Sequence, residues 1–122
     1  MPATATAQKV LLVEDDPSSR NALAQLLKHY GIDSVSAGTA REAIALLERN
    51  PTCLVLDLML PDADGTTVLE AVRRLGLKVH VAVTTGASDP ALLGRARAYN
   101  PDVTFRKPVD LSALLGWLRS QP

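Results

Sequence analysis

Acidic residues follow two of the short apolar runs in this 122-residue chain. Glu14 and Asp15 come directly after the first run, and Asp57 ends the third. Because parallel sheets bind ligands beyond the carboxyl ends of their strands, we expect these carboxylates to lie close together. Neighbouring carboxylates repel one another, and a hard divalent cation removes that repulsion. The sequence therefore predicts a Mg²⁺ site, to which the backbone carbonyl of Met59 could add a further ligand.

Other polar residues follow the fourth and fifth apolar runs. Thr84 and Thr85 come after the fourth, and Lys107 comes after the fifth. A carboxylate at such a sheet edge can act as a nucleophile and form an aspartyl phosphate. A metal ion and a lysine ammonium would then neutralise charge on the transferring phosphoryl group, and Thr85 could donate its hydroxyl to a phosphoryl oxygen. The residues thus indicate phosphoryl transfer onto Asp57.

Some of these acids and hydroxyls also have ordinary structural interpretations. Asp16 stands before a proline, which favours a helix N-cap over a role as a third metal-binding acid. Asp62 and Asp64 are interpreted as turn and cap residues before the third helix. Threonine is a good strand residue in any case, so the hydroxyl role of Thr85 depends mainly on the resemblance described below.

The elements that must position these residues are visible as apolar runs that alternate with segments of helical periodicity. The runs predict five strands, Val10–Val13, Ile32–Ser36, Cys53–Leu56, Val79–Val83 and Val103–Phe105. A stripe of apolar residues at helical spacing follows the first, second, third and fifth runs, and Gly31, Pro51 and Gly76 mark the ends of the first three helices. Asp89 and Pro90 open a fourth helix, which is weak because Gly94 lies inside it. The pattern predicts an α/β fold with a doubly wound, five-stranded parallel sheet and helices on both faces.

Composition argues against several classes of protein. Lys and Arg total 13, as do Asp and Glu, which argues against direct binding of nucleic acid or anionic membrane. The single cysteine, Cys53, rules out a disulfide within the chain, and no apolar run approaches the ~20 residues of a membrane helix. We therefore expect a cytoplasmic protein, with residues 1–8 as a flexible tail and residues 9–122 as one domain.

Four segments together resemble the receiver domain of bacterial two-component response regulators. They are Val10–Pro17, Leu56–Gly65, Val83–Ala87 and Arg106–Pro108. Each segment alone is weak, but their order and positions at strand ends make the combination specific, with 28 residues from Asp57 to Thr85 and 22 from Thr85 to Lys107. The resemblance covers nearly the whole chain after the tail and implies a flavodoxin-like fold with strand order 2-1-3-4-5.

The resemblance implies a role for each acidic residue of the predicted site. Asp57 matches the phosphoacceptor. Glu14 and Asp15 match the acidic pair at the Mg²⁺ site, with Asp15 as the direct ligand and Glu14 acting through water. Met59 matches the position whose backbone carbonyl binds the metal.

The resemblance also assigns the residues that contact the phosphoryl group. Thr85 matches the switch hydroxyl, with Thr84 as the alternative if the register shifts by one residue. Lys107 matches the phosphate-binding lysine, whose bond to the following proline is typically cis in the family. The family usually has Tyr or Phe three residues before this lysine, where this chain has Thr104. Phe105 cannot substitute for it, because successive strand residues face opposite sides.

The function implied by the resemblance is that of a signalling switch, not a turnover enzyme. The phosphoryl group would come from a phosphohistidine of a sensor histidine kinase or a histidine phosphotransfer protein. The output would be a changed binding surface, formed by the fourth helix, fifth strand and fifth helix, for an unknown downstream protein. The resemblance also allows a homodimer through this surface.

Three other functions compete with the switch. An aspartate-nucleophile phosphatase would need a second Asp two residues after Asp57, where this chain has Met59. A flavodoxin-like cofactor binder would need a Gly- or Ser-rich phosphate loop after the first strand, where Glu14–Pro17 would repel phosphate instead. A phosphate-independent, receiver-like interaction module remains the main alternative, because Thr104 replaces the usual aromatic residue.

Overall fold

The structure, a computed structural model, describes residues 8–86 and 89–121. Five parallel strands form one sheet in the order β2-β1-β3-β4-β5. They are β1 (Lys9–Val13), β2 (Asp33–Ala37), β3 (Cys53–Asp57), β4 (His80–Thr85) and β5 (Val103–Arg106). The helices are α1 (Pro17–His29), α2 (Ala40–Leu46), α3 (Thr66–Arg74), α4 (Pro90–Arg97) and α5 (Leu111–Ser120), and a short 3₁₀ turn, Leu47–Arg49, follows α2. These elements confirm the predicted α/β fold and strand order.

The sheet separates two hydrophobic clusters, because successive residues of a strand face opposite sides. On one face, Leu11 and Leu54 pack with buried residues of α2, α3 and α4. On the other face, Val10 and Val55 pack with α1 and α5, whose buried residues include Leu27. Strands β1 and β3 are therefore apolar at nearly every position, and their polar residues are confined to the ends.

The helix boundaries follow the local signals in the sequence. Asp16 caps α1, with Oδ2 accepting a hydrogen bond from the Ser19 N–H at 3.0 Å. Gly31 and Gly76 lie just after α1 and α3 with φ of +74° and +67°, a backbone conformation that favours glycine. These signals therefore predict where the polypeptide enters and leaves the edges of the sheet.

Strand β4 differs from its predicted extent at its carboxyl end. The sequence predicts an end at Val83, whereas the strand continues through Thr84 and Thr85. Both threonines remain in register with β5, opposite Phe105 and Arg106, and both are buried. The pairing with β5 extends the strand beyond its apolar run and brings the two hydroxyl residues to the same edge as Asp57.

Residues 1–7 of the predicted tail lie outside the described residues. Gln8, the last residue of that tail, donates its side-chain amide to the carbonyl oxygens of Leu118 and Gln121. None of the described helices is long and apolar enough to cross a membrane.

Candidate functional site

Three carboxylates meet at the carboxyl edge of the sheet. One ligand oxygen each from Glu14, Asp15 and Asp57 lies within 4.8 Å of the others. The cause is the register of β1 and β3, which pairs Val13 with Leu56, so that the acids following these positions are neighbours. The structure thus brings together the three acids that the sequence predicts for a metal site.

The donors at this cluster fit a Mg²⁺ ion. All three are carboxylate oxygens, the type of ligand that this hard cation prefers. Asp57 is buried, Glu14 is half-buried and Asp15 is exposed, so the cluster is open to solvent on one side. An open side suits Mg²⁺ because this ion retains several of its water molecules when proteins bind it.

Lys107 places a positive charge directly on this cluster. Its Nζ donates to Oδ2 of Asp57 and to Oε1 of Glu14, each at 2.7 Å. The backbone N–H of Lys107 donates to the carbonyl of Thr85 at 2.9 Å, which anchors the lysine at the end of β4. Burial lowers the pKa of Lys107, but the bonds to Asp57 and Glu14 outweigh burial and raise it above its usual value. The ammonium is therefore charged at neutral pH.

The second oxygen of Asp57 is held by the loop that follows β3. The Met59 N–H donates to Oδ1 of Asp57 at 2.9 Å. The backbone of Met59 forms an isolated antiparallel bridge with Asp64, and its side chain is exposed. Both oxygens of Asp57 thus have defined partners, and the backbone of Met59 lies beside the acidic cluster.

Gly65 supports the backbone beneath Asp57. A Cβ atom at Gly65 would lie 2.7 Å from the carbonyl oxygen of Asp57 and 2.9 Å from Cα of Leu58. The Gly65 N–H also donates to the carbonyl of Leu58 at 2.8 Å. Sequence reasoning included Gly65 in a matching segment, and the structure supplies the physical reason, which is close backbone approach.

The loop acids Asp62 and Asp64 serve different helices. Instead of bonding the start of α3, Asp62 accepts from the N–H groups of Ala40 and Arg41, at 2.8 and 3.0 Å, in the first turn of α2. These backbone bonds lower the pKa of Asp62 below its usual value. Asp64 accepts from the Thr66 N–H at 2.9 Å, at the start of α3 as predicted. The loop is thereby attached to two helices.

Arg20 is a residue near the site that sequence reasoning missed. Its Nη1 donates to the carbonyl of Glu14 at 2.8 Å and to that of Asp15 at 3.4 Å, and so holds the β1–α1 loop. An arginine in the first turns of a helix carries no local sign of this contact. The carboxylate of Asp16 is engaged at the same loop as the N-cap of α1, and its bonds with Ser19 lower its pKa.

The two threonines at the end of β4 line different spaces. Thr84 lines a cleft that includes Lys107 and residues of α1 and α5. Thr85 lines a cavity between α4 and β5 that includes Thr104. This arrangement follows from strand alternation. The structure places both residues at the predicted edge, and the assignment of the hydroxyl role to Thr85 stays a prediction.

Strand β5 carries the departure from the family pattern at Thr104. Thr104 is exposed on the α4 side of the strand, whereas Phe105 packs against the cluster formed with α1 and α5. Phe105 thus faces away from the position where the aromatic residue is expected. The Lys107–Pro108 peptide bond is cis, in agreement with the resemblance.

Comparison with known proteins matches this fold and edge arrangement to one family. Residues 10–119 match the response regulator receiver domain. The transcriptional regulatory protein TrcR of Mycobacterium tuberculosis is 33% identical over 112 residues, which cover 91% of this chain and 44% of TrcR. The chain spans well under two thirds of the length of TrcR and of other curated relatives that it matches.

Solved structures support the same assignment. A response regulator receiver protein from Pseudomonas putida has a TM-score of 0.85 and 28% identity, and the match covers 95% of this chain and 98% of that one. A response regulator receiver domain protein from Methanospirillum hungatei has a TM-score of 0.84 and 26% identity, with 93% and 92% covered.

Proposed function

This chain belongs to the response regulator receiver domain family, and we propose that it is a switch in which Asp57 accepts a phosphoryl group. The observation that carries the proposal is the contact of Lys107 with both Asp57 and Glu14 inside the three-carboxylate cluster. A lysine ammonium and several carboxylate oxygens surround one buried carboxylate. This arrangement suits phosphoryl transfer, which depends on positioning and charge neutralisation.

Glu14, Asp15, Asp57 and the backbone carbonyl of Met59 are the groups that would hold Mg²⁺. When bound, the ion supplies charge neutralisation at the phosphoryl oxygens and at Asp57. Asp15 is the most exposed of the three acids, which suits direct ligation, and Glu14 is already engaged by Lys107, which suits a role through water.

The chain's own residues perform the rest of the transfer. An oxygen of Asp57 attacks phosphorus, the new O–P bond forms, and the P–N bond to the donor breaks while the leaving nitrogen takes up a proton. Lys107 exchanges its contact with Asp57 for one with a phosphoryl oxygen. Thr85 donates its hydroxyl to another phosphoryl oxygen. Hydrolysis of the acyl phosphate later returns the carboxylate, so the chain acts as a switch and not as a turnover enzyme.

The proposed donor is a phosphohistidine on a sensor histidine kinase or a histidine phosphotransfer protein. The proposed output is a changed surface around α4, β5 and α5 that binds an unknown downstream protein or a second copy of this chain. Phosphorylation would shift an existing equilibrium between two states of this surface. We propose a cytoplasmic location and no direct contact with nucleic acid or membrane.

Trapping the acyl phosphate tests the site of this chemistry. After incubation with phosphoramidate and Mg²⁺, borohydride reduction converts an aspartyl phosphate to homoserine, which peptide mass spectrometry can locate. We expect homoserine at position 57 and at no other aspartate. Homoserine at Asp15 or Asp16 instead would move the phosphoacceptor and contradict the assignment.

One observation favours a second function, a phosphate-independent interaction module. Because Thr104 stands at this position, the α4–β5 side lacks the aromatic residue whose ring, in the family, usually changes orientation with phosphorylation. A module of this kind would bind its partner equally well before and after treatment with the phosphodonor. If phosphorylation does not change the affinity for the partner, this second function is favoured over the switch.

A further inference from the structure

A cavity of about 200 Å³ lies between α4 and β5. We call it the α4–β5 pocket. Its apolar wall comprises Leu58 and Val83 from the sheet side and Leu93 and Ala96 from α4. An apolar protein cavity of roughly 150 Å³ is large enough to bind benzene. The α4–β5 pocket is therefore large enough for one aromatic ring.

The mouth of the pocket combines a short side chain with two positive charges. Thr104 lies on β5 at the pocket, and Arg97 and Arg106 line it from α4 and β5. All three residues are exposed. Within residues 8–86 and 89–121, neither of these two guanidinium groups pairs with a carboxylate, whereas nearby Arg95 pairs with Asp64 at 3.2 Å.

We propose that the α4–β5 pocket docks an acidic segment of a partner protein that carries one aromatic side chain. The ring would enter the space between Leu93 and Thr104, where it is removed from water. Carboxylates on either side of the ring would pair with Arg97 and Arg106. Aromatic residues and arginine are enriched among the few residues that contribute most of the binding free energy of an interface, and arginine pairs well with carboxylates.

Phosphorylation would act on this pocket through Thr85, which is buried and lines it. A hydroxyl that turns toward a phosphoryl group on Asp57 changes the floor of the pocket. Docking and phosphorylation are then coupled, and each alters the free energy of the other by the same amount. This coupling rests on the proposed function, whereas docking to the unphosphorylated protein does not.

A short peptide probe tests docking directly. The probe is an acetylated heptapeptide, EEGFGEE, titrated into isotope-labelled, unphosphorylated protein while backbone amide shifts are recorded by NMR. We expect saturable shifts at Leu93, Ala96 and Thr104 at micromolar to millimolar peptide. The peptides EEGAGEE and KKGFGKK should bind at least about tenfold more weakly, because one lacks the ring and the other reverses the charge.

Variants of the pocket connect the binding to this space. Thr104→Phe should fill the pocket from β5 and abolish binding of EEGFGEE, whereas the matched control Thr104→Ser should bind as the unmodified protein does. If Thr104→Phe does not fold, Ala96→Leu fills the same space from α4 and is expected to give the same loss. Arg97→Glu and Arg106→Glu should each weaken binding about tenfold or more.

Three results would overturn the proposal. They are the absence of saturable shifts at millimolar EEGFGEE, equal binding of EEGFGEE and EEGAGEE, and undiminished binding to the filled-pocket variants. Repeating the titration with phosphoramidate and Mg²⁺ tests the coupling separately. If phosphorylation fails in that experiment, binding to the unphosphorylated protein can still be measured. A failure of the proposed phosphorylation is therefore distinguishable from a failure of the proposed docking.

Discussion

Nζ of Lys107 lies 2.7 Å from Oδ2 of Asp57, although Lys107 follows β5 and Asp57 ends β3, with β4 between them. The same ammonium is 2.7 Å from Oε1 of Glu14. One cation therefore contacts two of the three clustered carboxylates. The lysine thus offsets part of the repulsion among the carboxylates, and it occupies oxygens that a metal ion would also use.

Removing this charge should have opposite effects on metal binding and on phosphorylation. In Lys107→Ala the carboxylates attract a divalent cation more strongly, and we expect the Kd for Mg²⁺ to fall by roughly fivefold to tenfold. The rate of phosphorylation by phosphoramidate should fall by about tenfold or more, because the phosphoryl oxygens lose a charged donor. Isothermal calorimetry and intact-protein mass measure the two effects.

The matched control for that experiment is Lys107→Arg, which keeps the charge. We expect its Kd for Mg²⁺ to stay within about threefold of the unmodified value, because the positive charge is retained. An unchanged or higher Kd in Lys107→Ala would show that the lysine does not oppose the metal, and the electrostatic account of the cluster would be wrong.

Gly65→Ala should disturb the site through the backbone. The new Cβ would lie 2.7 Å from the carbonyl oxygen of Asp57, so the β3 end must shift. We expect the free energy of unfolding to fall by about 1–3 kcal/mol, in the range of overpacked sites. Slower phosphorylation should accompany this loss. Urea denaturation followed by circular dichroism measures the stability.

The control substitution is Gly116→Ala, in the interior of α5. Among residues 8–86 and 89–121, no atom lies within 4 Å of its added Cβ, apart from its own helix backbone and chain neighbours. We expect a gain of up to ~1 kcal/mol, because alanine favours a helix interior. Equal stability losses in both variants would refute the claim that Gly65 is required by close approach to Asp57.

Asp62→Ala should lower the melting temperature in a pH-dependent way. The bonds from Ala40 and Arg41 lower the pKa of Asp62 in the folded protein, so its contribution is present above the unfolded pKa and is lost as the pH falls through the folded value. The difference in melting temperature between the unmodified protein and Asp62→Ala should therefore be full above about pH 4 and shrink below it. A difference that grows in acid contradicts this sign.

Much of the site could be predicted because its acids stand immediately after apolar runs. A buried parallel strand is a nearly continuous apolar segment of the sequence. The end of that segment therefore predicts that Asp15 and Asp57 lie at the edge of the sheet. The neighbouring positions of β1 and β3 then follow from the strand order, which the resemblance supplied. Asp16 was also predictable, since an N-cap bonds within its own first turn.

The contacts that sequence reasoning missed are those between elements distant in the chain. Asp62 looked like a residue of the α3 start, yet its partners are the N–H groups of α2, brought near by packing. The contact of Arg20 with the β1–α1 loop depends likewise on side-chain direction. Local patterns carry no information on such partners, because propensity describes only a residue's own segment.

The extent of β4 was missed for a related reason. Thr84 and Thr85 follow the apolar run but belong to the strand, because β5 pairs with them. The hydrophobic pattern alone therefore predicts too early an end for β4, because the observed end depends on pairing with β5.

The measurement that tests the central claim most directly is the intact mass of the protein after exposure to phosphoramidate, with and without Mg²⁺. Asp57→Asn is measured in parallel, with Asp33→Asn, an exposed acid at the start of β2, as the matched control. We predict a gain of one phosphoryl group that requires Mg²⁺, persists in Asp33→Asn and is absent in Asp57→Asn. No gain in the folded protein with Mg²⁺ present, or an undiminished gain in Asp57→Asn, would contradict the account.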